Sequence, residues 1–149
     1  MRPYLIISLM FLFVAVASAD NAEFTSIQLV DYGIYSSDRD SPKLITQTER
    51  IPAEVGTVFG VRAKLPRNHS AVYRYKWTFP KMQNPENGQK WTEMVGSEEL
   101  VGGESFPFFV RINRLWEAVP GEWTLRLMLE EQLVLEKVFQ VYELPTKDD

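Results

Sequence analysis

The chain has 149 residues, a formal net charge of −4 and no cysteine. That length fits one domain with a core large enough to stand without disulfide or metal. The acidic balance argues against nucleic acid, which is bound largely by neutralising phosphates, and it offers no basic stripe for an anionic membrane surface.

Residues 1–4 read MRPY, residues 5–16 are almost wholly apolar, and Ala17-Ser18-Ala19 follows. A short positive start, an apolar run and a small-x-small site make a secretory signal, with cleavage before Asp20. The run is shorter than the roughly 20 residues a permanent helical span needs. No second apolar run of that length follows, so no permanent membrane insertion is expected after cleavage. Position 20 is not cysteine, so no lipid tether is expected there. The predicted organisation is a signal at 1–19 and a single domain at 20–149. A cysteine-free exported chain fits a bacterial envelope protein better than a small eukaryotic extracellular domain. Localisation is therefore read as periplasmic, or else extracellular.

Apolar residues then alternate with polar ones, the period of a half-buried strand. The long run 24–35 contains Gly33, which is expected to bend or bulge it. A polar loop, SSDRDSP, covers 36–42. Phe59, Val61, Ala63 and Leu65 form one inner face. After PRNHS at 66–70, the run 72–79 puts Tyr73, Tyr75, Trp77 and Phe79 inward and Arg74, Lys76 and Thr78 outward. Asn87-Gly88 marks a hairpin turn leading to a strand near Trp91. Phe106, Phe108, Val110 and Ile112 point inward, with Phe109 and Arg111 opposite. Residues 113–119 are expected to form one helical turn across the end of the fold, with Trp116 capping the core. Trp123, Leu125, Leu127 and Leu129 make the next inner face. A tight connection at 130–132 joins this strand to the last, which brings Phe139 and Val141 to the core. Seven or eight such strands predict an all-β, immunoglobulin-like antiparallel β-sandwich. An open β-barrel is the alternative architecture.

Four segments carry a resemblance: VDYGIY at 30–35, IPAEVGTVFGV at 51–61, PGEWTL at 120–125 and LEKVFQVYEL at 135–144. Together they resemble a family of bacterial exported proteins of unknown function. The Pro-Gly-x-Trp-x-Leu strand, followed by a hairpin and Phe-x-Val, is similar to the last two strands of bacterial immunoglobulin-like domains. The resemblance implies a fold and a compartment, and it brings no catalytic residue.

The chemistry-bearing residues are few. His69 is the only histidine and there is no thiol, so no common zinc set can be assembled. His69 is read as a loop residue, and Asn68-His69-Ser70 as a loop rather than a glycosylation acceptor. Asp38 and Asp40 offer two oxygens where a Ca²⁺ ion needs six to eight, so they are read as turn residues. Glu98, Glu99 and Glu104 could in principle supply carboxylates for glycoside cleavage, but solvated acids are the plainer reading. No cofactor, no metal and no catalytic residue are expected.

Aromatic side chains are plentiful: four Trp, six Tyr and nine Phe. Alternation assigns Trp77 and Trp123 to the core. Tyr32, Tyr35, Trp91 and Trp116 are less clearly inward, and they are the candidate binding residues. The leading expectation is a non-catalytic binding or accessory module of the bacterial cell envelope that recognises a protein or peptide partner. Carbohydrate binding by surface aromatics is the alternative, and a hydrolytic enzyme using carboxylates is the least supported.

Overall fold

The structure is a computed structural model that describes residues 27–146. The signal segment predicted at 1–19 lies outside the described residues.

Two sheets pack face to face. The first contains β1 (Gln28–Tyr35), β2 (Leu44–Thr46), β4 (Val58–Lys64) and β7 (Ser105–Arg111), in the order β2-β1-β4-β7. The second contains β3 (Arg50–Pro52), β5 (Ala71–Gln83), β6 (Lys90–Leu100), β8 (Gly121–Leu129) and β9 (Gln132–Tyr142), in the order β3-β9-β8-β5-β6. Every neighbouring pair is antiparallel except β3 and β9. This is the predicted sandwich and not a closed barrel. Nine strands form where seven or eight are predicted; β2 and β3, each of three residues, are too short to show alternation.

The inner faces meet as their spacing predicts. Phe59, Val61, Ala63 and Leu65 from β4 and the residue following it are fully buried, as are Tyr73, Leu125, Leu127 and Phe139. Phe59 sits at the centre: Trp77, Trp123 and Phe139 approach its ring at 5.8, 5.5 and 5.4 Å, all edge-on. Edge-to-face contact satisfies the ring quadrupoles better than a face-to-face sandwich. The buried Trp123 indole donates its Nε1–H to the Val119 carbonyl at 3.0 Å. Burial therefore leaves no polar atom of that ring unpaired.

β1 runs unbroken through Gly33, which pairs regularly with Gly60. The register shifts lie away from it, between Leu29 and Asp31 against β4 and between Ile34 and Tyr35 against β2. The φ of Gly33 is +135°, and a β-carbon there would run into the Thr46 carbonyl. Only glycine lets the chain leaving β2 pass this close.

Strand β5 runs past Phe79, where its alternation breaks, to Gln83. Its ladder with β6 is irregular between Thr78 and Met82. Pro80 lies inside that interval and has no N–H for a ladder, so the irregularity accommodates it. The β5–β6 connection is a hairpin, as Asn87-Gly88 suggests. The loop is longer than a two-residue turn, and only Gly88 takes positive φ (+71°). The β8–β9 connection is the tight one, with Leu129 opposite Gln132. In the 36–42 loop, Asp38 Oδ1 accepts the N–H groups of Asp40 and Ser41 at 3.0 and 3.4 Å. That carboxylate is a turn group.

Candidate functional site: an apolar groove between two strand edges

Strands β6 and β7 are the last members of their sheets on one flank of the sandwich. Neither pairs with the other, so the sheets part there over an open groove. Its larger cavity has a volume of about 490 Å³. Phe79, Met82 and Trp123 supply the inner lining from β5 and β8. Trp91 and Met94 rise from β6, and Val110 and Ile112 close the β7 side. A second cavity of about 170 Å³ adjoins it, lined by residues that include Tyr75, Glu98, Pro107 and Phe108. Met94 and Phe109 line both, so the two form one groove along the flank.

Trp116 closes one end. It sits in a 3-10 turn, Leu115–Glu117, where a helical turn is expected. Glu117 holds that turn: its carboxylate accepts the N–H groups of Asn113 and Arg114 at 2.6 and 3.0 Å. Carboxylate acceptors suit the first N–H groups of a helical turn. The Trp116 ring lies parallel to that of Trp91, with centroids 5.5 Å apart and planes 17° off parallel. Each ring covers one face of the other, and both remain half-buried.

The β7 edge is open for pairing. Ile112 donates its N–H to the Thr57 carbonyl at 3.0 Å, toward β4. Backbone groups alternate sides along a strand, so Phe106, Phe108 and Val110 also bond toward β4. Ser105, Pro107, Phe109 and Arg111 then direct theirs outward. Pro107, with no N–H, occupies an outward position, as an edge strand requires. Asn113 Nδ2 donates to the Arg111 carbonyl at 3.3 Å, and Arg111 Nη2 donates to the Ser37 carbonyl at 2.9 Å. No strand pairs with this edge among the described residues.

The structure brings together two of the four candidate aromatics, Trp91 and Trp116. The tyrosines lie elsewhere and line neither cavity. Tyr32 packs against the core, and Lys137 Nζ stands 3.5 Å from its ring centroid. Tyr35, a candidate as a residue less clearly inward, is only 2% exposed and offers no ring to a partner. Its parity does put it on the outer face of the first sheet. There the Phe109 ring covers it with centroids 4.0 Å apart, and the Arg62 guanidinium lies 5.5 Å from its centroid. Gly60 stands opposite both Gly33 and Phe109, so no side chain blocks the meeting of the two rings across β4.

Asp31 joins this outer cluster. It forms a two-point ion pair with Arg62, whose Nε reaches it at 2.8 Å, and accepts the Tyr35 hydroxyl at 2.6 Å. The Arg62 hydrogen bonds hold the Asp31 carboxyl below its ordinary range, against an opposing effect of burial, and the Tyr35 hydroxyl adds to the lowering. Burial, with the neighbouring Asp31 charge, pushes the Tyr35 phenol well above its ordinary value. Asp31, Gly33 and Tyr35 of the VDYGIY segment thus have structural work.

The acidic candidates are dispersed. Glu98 and Glu99 are neighbours on β6 and so point to opposite faces. They do not face one sugar as a catalytic pair would. Among the described residues no group of three or more His, Cys, Asp or Glu is placed to hold a metal ion. No helix among them is long and apolar enough to cross a membrane.

Sequence reasoning missed Phe79, Met82 and Met94 as groove residues. Phe79 reads as core by parity. Met82 lies beyond Pro80, where the alternation breaks, and Met94 lies in a strand whose sequence shows no alternating face.

These features define an immunoglobulin-like β-sandwich with a lateral apolar groove. The model of the domain of unknown function DUF3859 matches residues 24–141, and the chain belongs to that family. It is also similar to an immunoglobulin-like protein of known structure from Pseudomonas aeruginosa. The two are 26% identical, with a TM-score of 0.65, and the match covers 78% of this chain and 96% of the other. No curated protein matches the chain.

Proposed function

We propose that this chain is a non-catalytic binding module of the bacterial cell envelope, most of all the periplasm, and that a protein or peptide partner occupies the β6–β7 groove. The observation that carries this reading is the groove itself: an apolar cavity of about 490 Å³, walled by Trp91 and Trp116, beside an unpaired strand edge. Aromatic and methionine side chains are enriched where proteins meet partners. The signal-like segment 1–19 supports export. The bacterial neighbour of known structure supports the bacterial setting.

A sugar platform fits less well. It needs an open aromatic face and several polar partners, whereas each indole gives one face to the other. Photo-crosslinking in the envelope tests the reading. A photo-reactive side chain at Met94 should capture a protein partner, and the same group at exposed Ile45 on the opposite flank should not. Equal capture from both positions, or glycan binding lost in Trp91→Ala, would reject it.

A further inference from the structure

We propose that the groove takes an extended peptide as an added strand on β7, and that it selects one with a large apolar side chain and a cationic side chain four residues apart. This deepens the groove reading above and rests on it. The outward backbone groups of Phe109 and the Arg111 N–H are the pairing sites, since the Arg111 carbonyl is already met by Asn113. Main-chain pairing at an open edge gives affinity without regard to sequence, and the pockets beside it give specificity.

The pockets set the spacing. On the β7 side the larger cavity is lined by residues 109–113 and the smaller one by residues 107–109. Phe108 in the smaller cavity and Ile112 in the larger both face inward, and they are four residues apart, about 13 Å along a strand. Four is an even number, so residues i and i+4 of an added strand point to the same face. Both would enter the groove, one into each cavity.

Charge sets the second side chain. The acids on the groove wall are Glu93, Glu98 and Glu117, against one base, Arg111. Glu93 is paired with Lys76 at 2.6 Å, and Glu117 caps the 3-10 turn. Arg111 is held by the Ser37 carbonyl. Glu98, in the smaller cavity, has no ion pair among the described residues. A lysine or arginine is the complement of that carboxylate.

The test uses labelled, Thr-rich peptides carrying Trp and Lys four positions apart, in both chain orders, read by fluorescence anisotropy. One order should bind, and Trp91→Ala should weaken it. Replacing the peptide lysine by glutamate should weaken binding about fivefold, the scale of an exposed ion pair. Glu98→Lys should reverse that preference. Glu98 is exposed, so the reversal is measurable even if Trp91→Ala fails to fold. Methylation of the peptide amide that faces β7 should abolish binding.

Binding that needs Trp91 but ignores both backbone methylation and the charge swap would overturn strand addition and leave the groove reading intact. No binding of either peptide order would overturn the inference, while the crosslinking at Met94 judges the groove reading separately. Sedimentation showing a dimer lost in Trp91→Ala would give the groove to a second copy of the chain and overturn both.

Discussion

Tyr73 shows how a single atom can work against the residue that carries it. Its ring is fully buried in the core, yet its hydroxyl has no hydrogen-bond partner, and the desolvated phenol is pushed above its ordinary pKa. A buried hydroxyl without a partner costs about 1–3 kcal/mol. Tyr73→Phe should therefore leave denaturant stability unchanged or raise it by up to about 1 kcal/mol. A clear loss would mean that the hydroxyl is satisfied by an ordered water. Trp123 is the opposite case, with ring and N–H both satisfied. Trp123→Ala should lower stability by about 3–5 kcal/mol in a denaturant melt.

The Asp31–Arg62–Tyr35 cluster makes stability depend on pH in two separate windows. Asp31 has a depressed pKa in the fold, so its contribution is present above the unfolded value near 3.8 and is lost as pH falls through the lower folded value. Asp31→Asn should cost about 1–3 kcal/mol at pH 7, the range for charge-assisted hydrogen bonds. The gap from the parent should close as pH falls below 3.8. Tyr35 has a raised pKa, so its contribution is present below its ordinary value near 10 and is lost as pH rises toward the folded value. Above pH 10, Tyr35→Phe should gain stability relative to the parent. Urea melts across both windows read both effects.

At the scale of elements, the β8–β9 hairpin is built with ill-suited residues. Glu130 and Glu131 have φ of +48° and +68°, the left-handed pair that a two-residue turn of this twist requires. A residue with a β-carbon pays about 1–2 kcal/mol there, whereas Asn-Gly tolerates it. Glu130→Asn with Glu131→Gly should raise stability by about 1 kcal/mol and the melting temperature by a few degrees. An unchanged melting temperature would show that the turn is not strained. The 3-10 turn is the second instructive element. A helical turn over 113–119 is expected from the sequence, but the cap that holds it depends on the return of the Glu117 carboxylate to the Asn113 and Arg114 amides.

At the scale of the whole molecule, the sandwich leaves one flank open. On β6, Met94 and Val95 are 42% and 65% exposed, one on each face of the strand. Open edges of this kind invite pairing, and Pro107 limits indiscriminate pairing on β7 by removing one donor. The proposed export gives the remaining prediction: the intact mass of the mature protein, sought in the periplasm, should begin at Asp20. Retention of Met1 in that fraction would overturn the signal assignment.

Alternation by twos was enough to identify the all-β class, the inner faces of β4, β5, β7, β8 and β9, and Trp77 and Trp123 as core. That pattern is local, because each residue's face follows from its position along its own strand. Asn87-Gly88 marked one hairpin, and the short polar break at 130–132 between two apolar runs marked the other. The partners of each strand were decided only in the tertiary structure, because pairing is a long-range choice. That choice made β6 and β7 edges, opened the groove between them, and stacked Trp91 on Trp116. It also buried Tyr35, since Arg62 from β4 and Phe109 from β7 reach it only once those strands lie side by side, with a glycine between the rings.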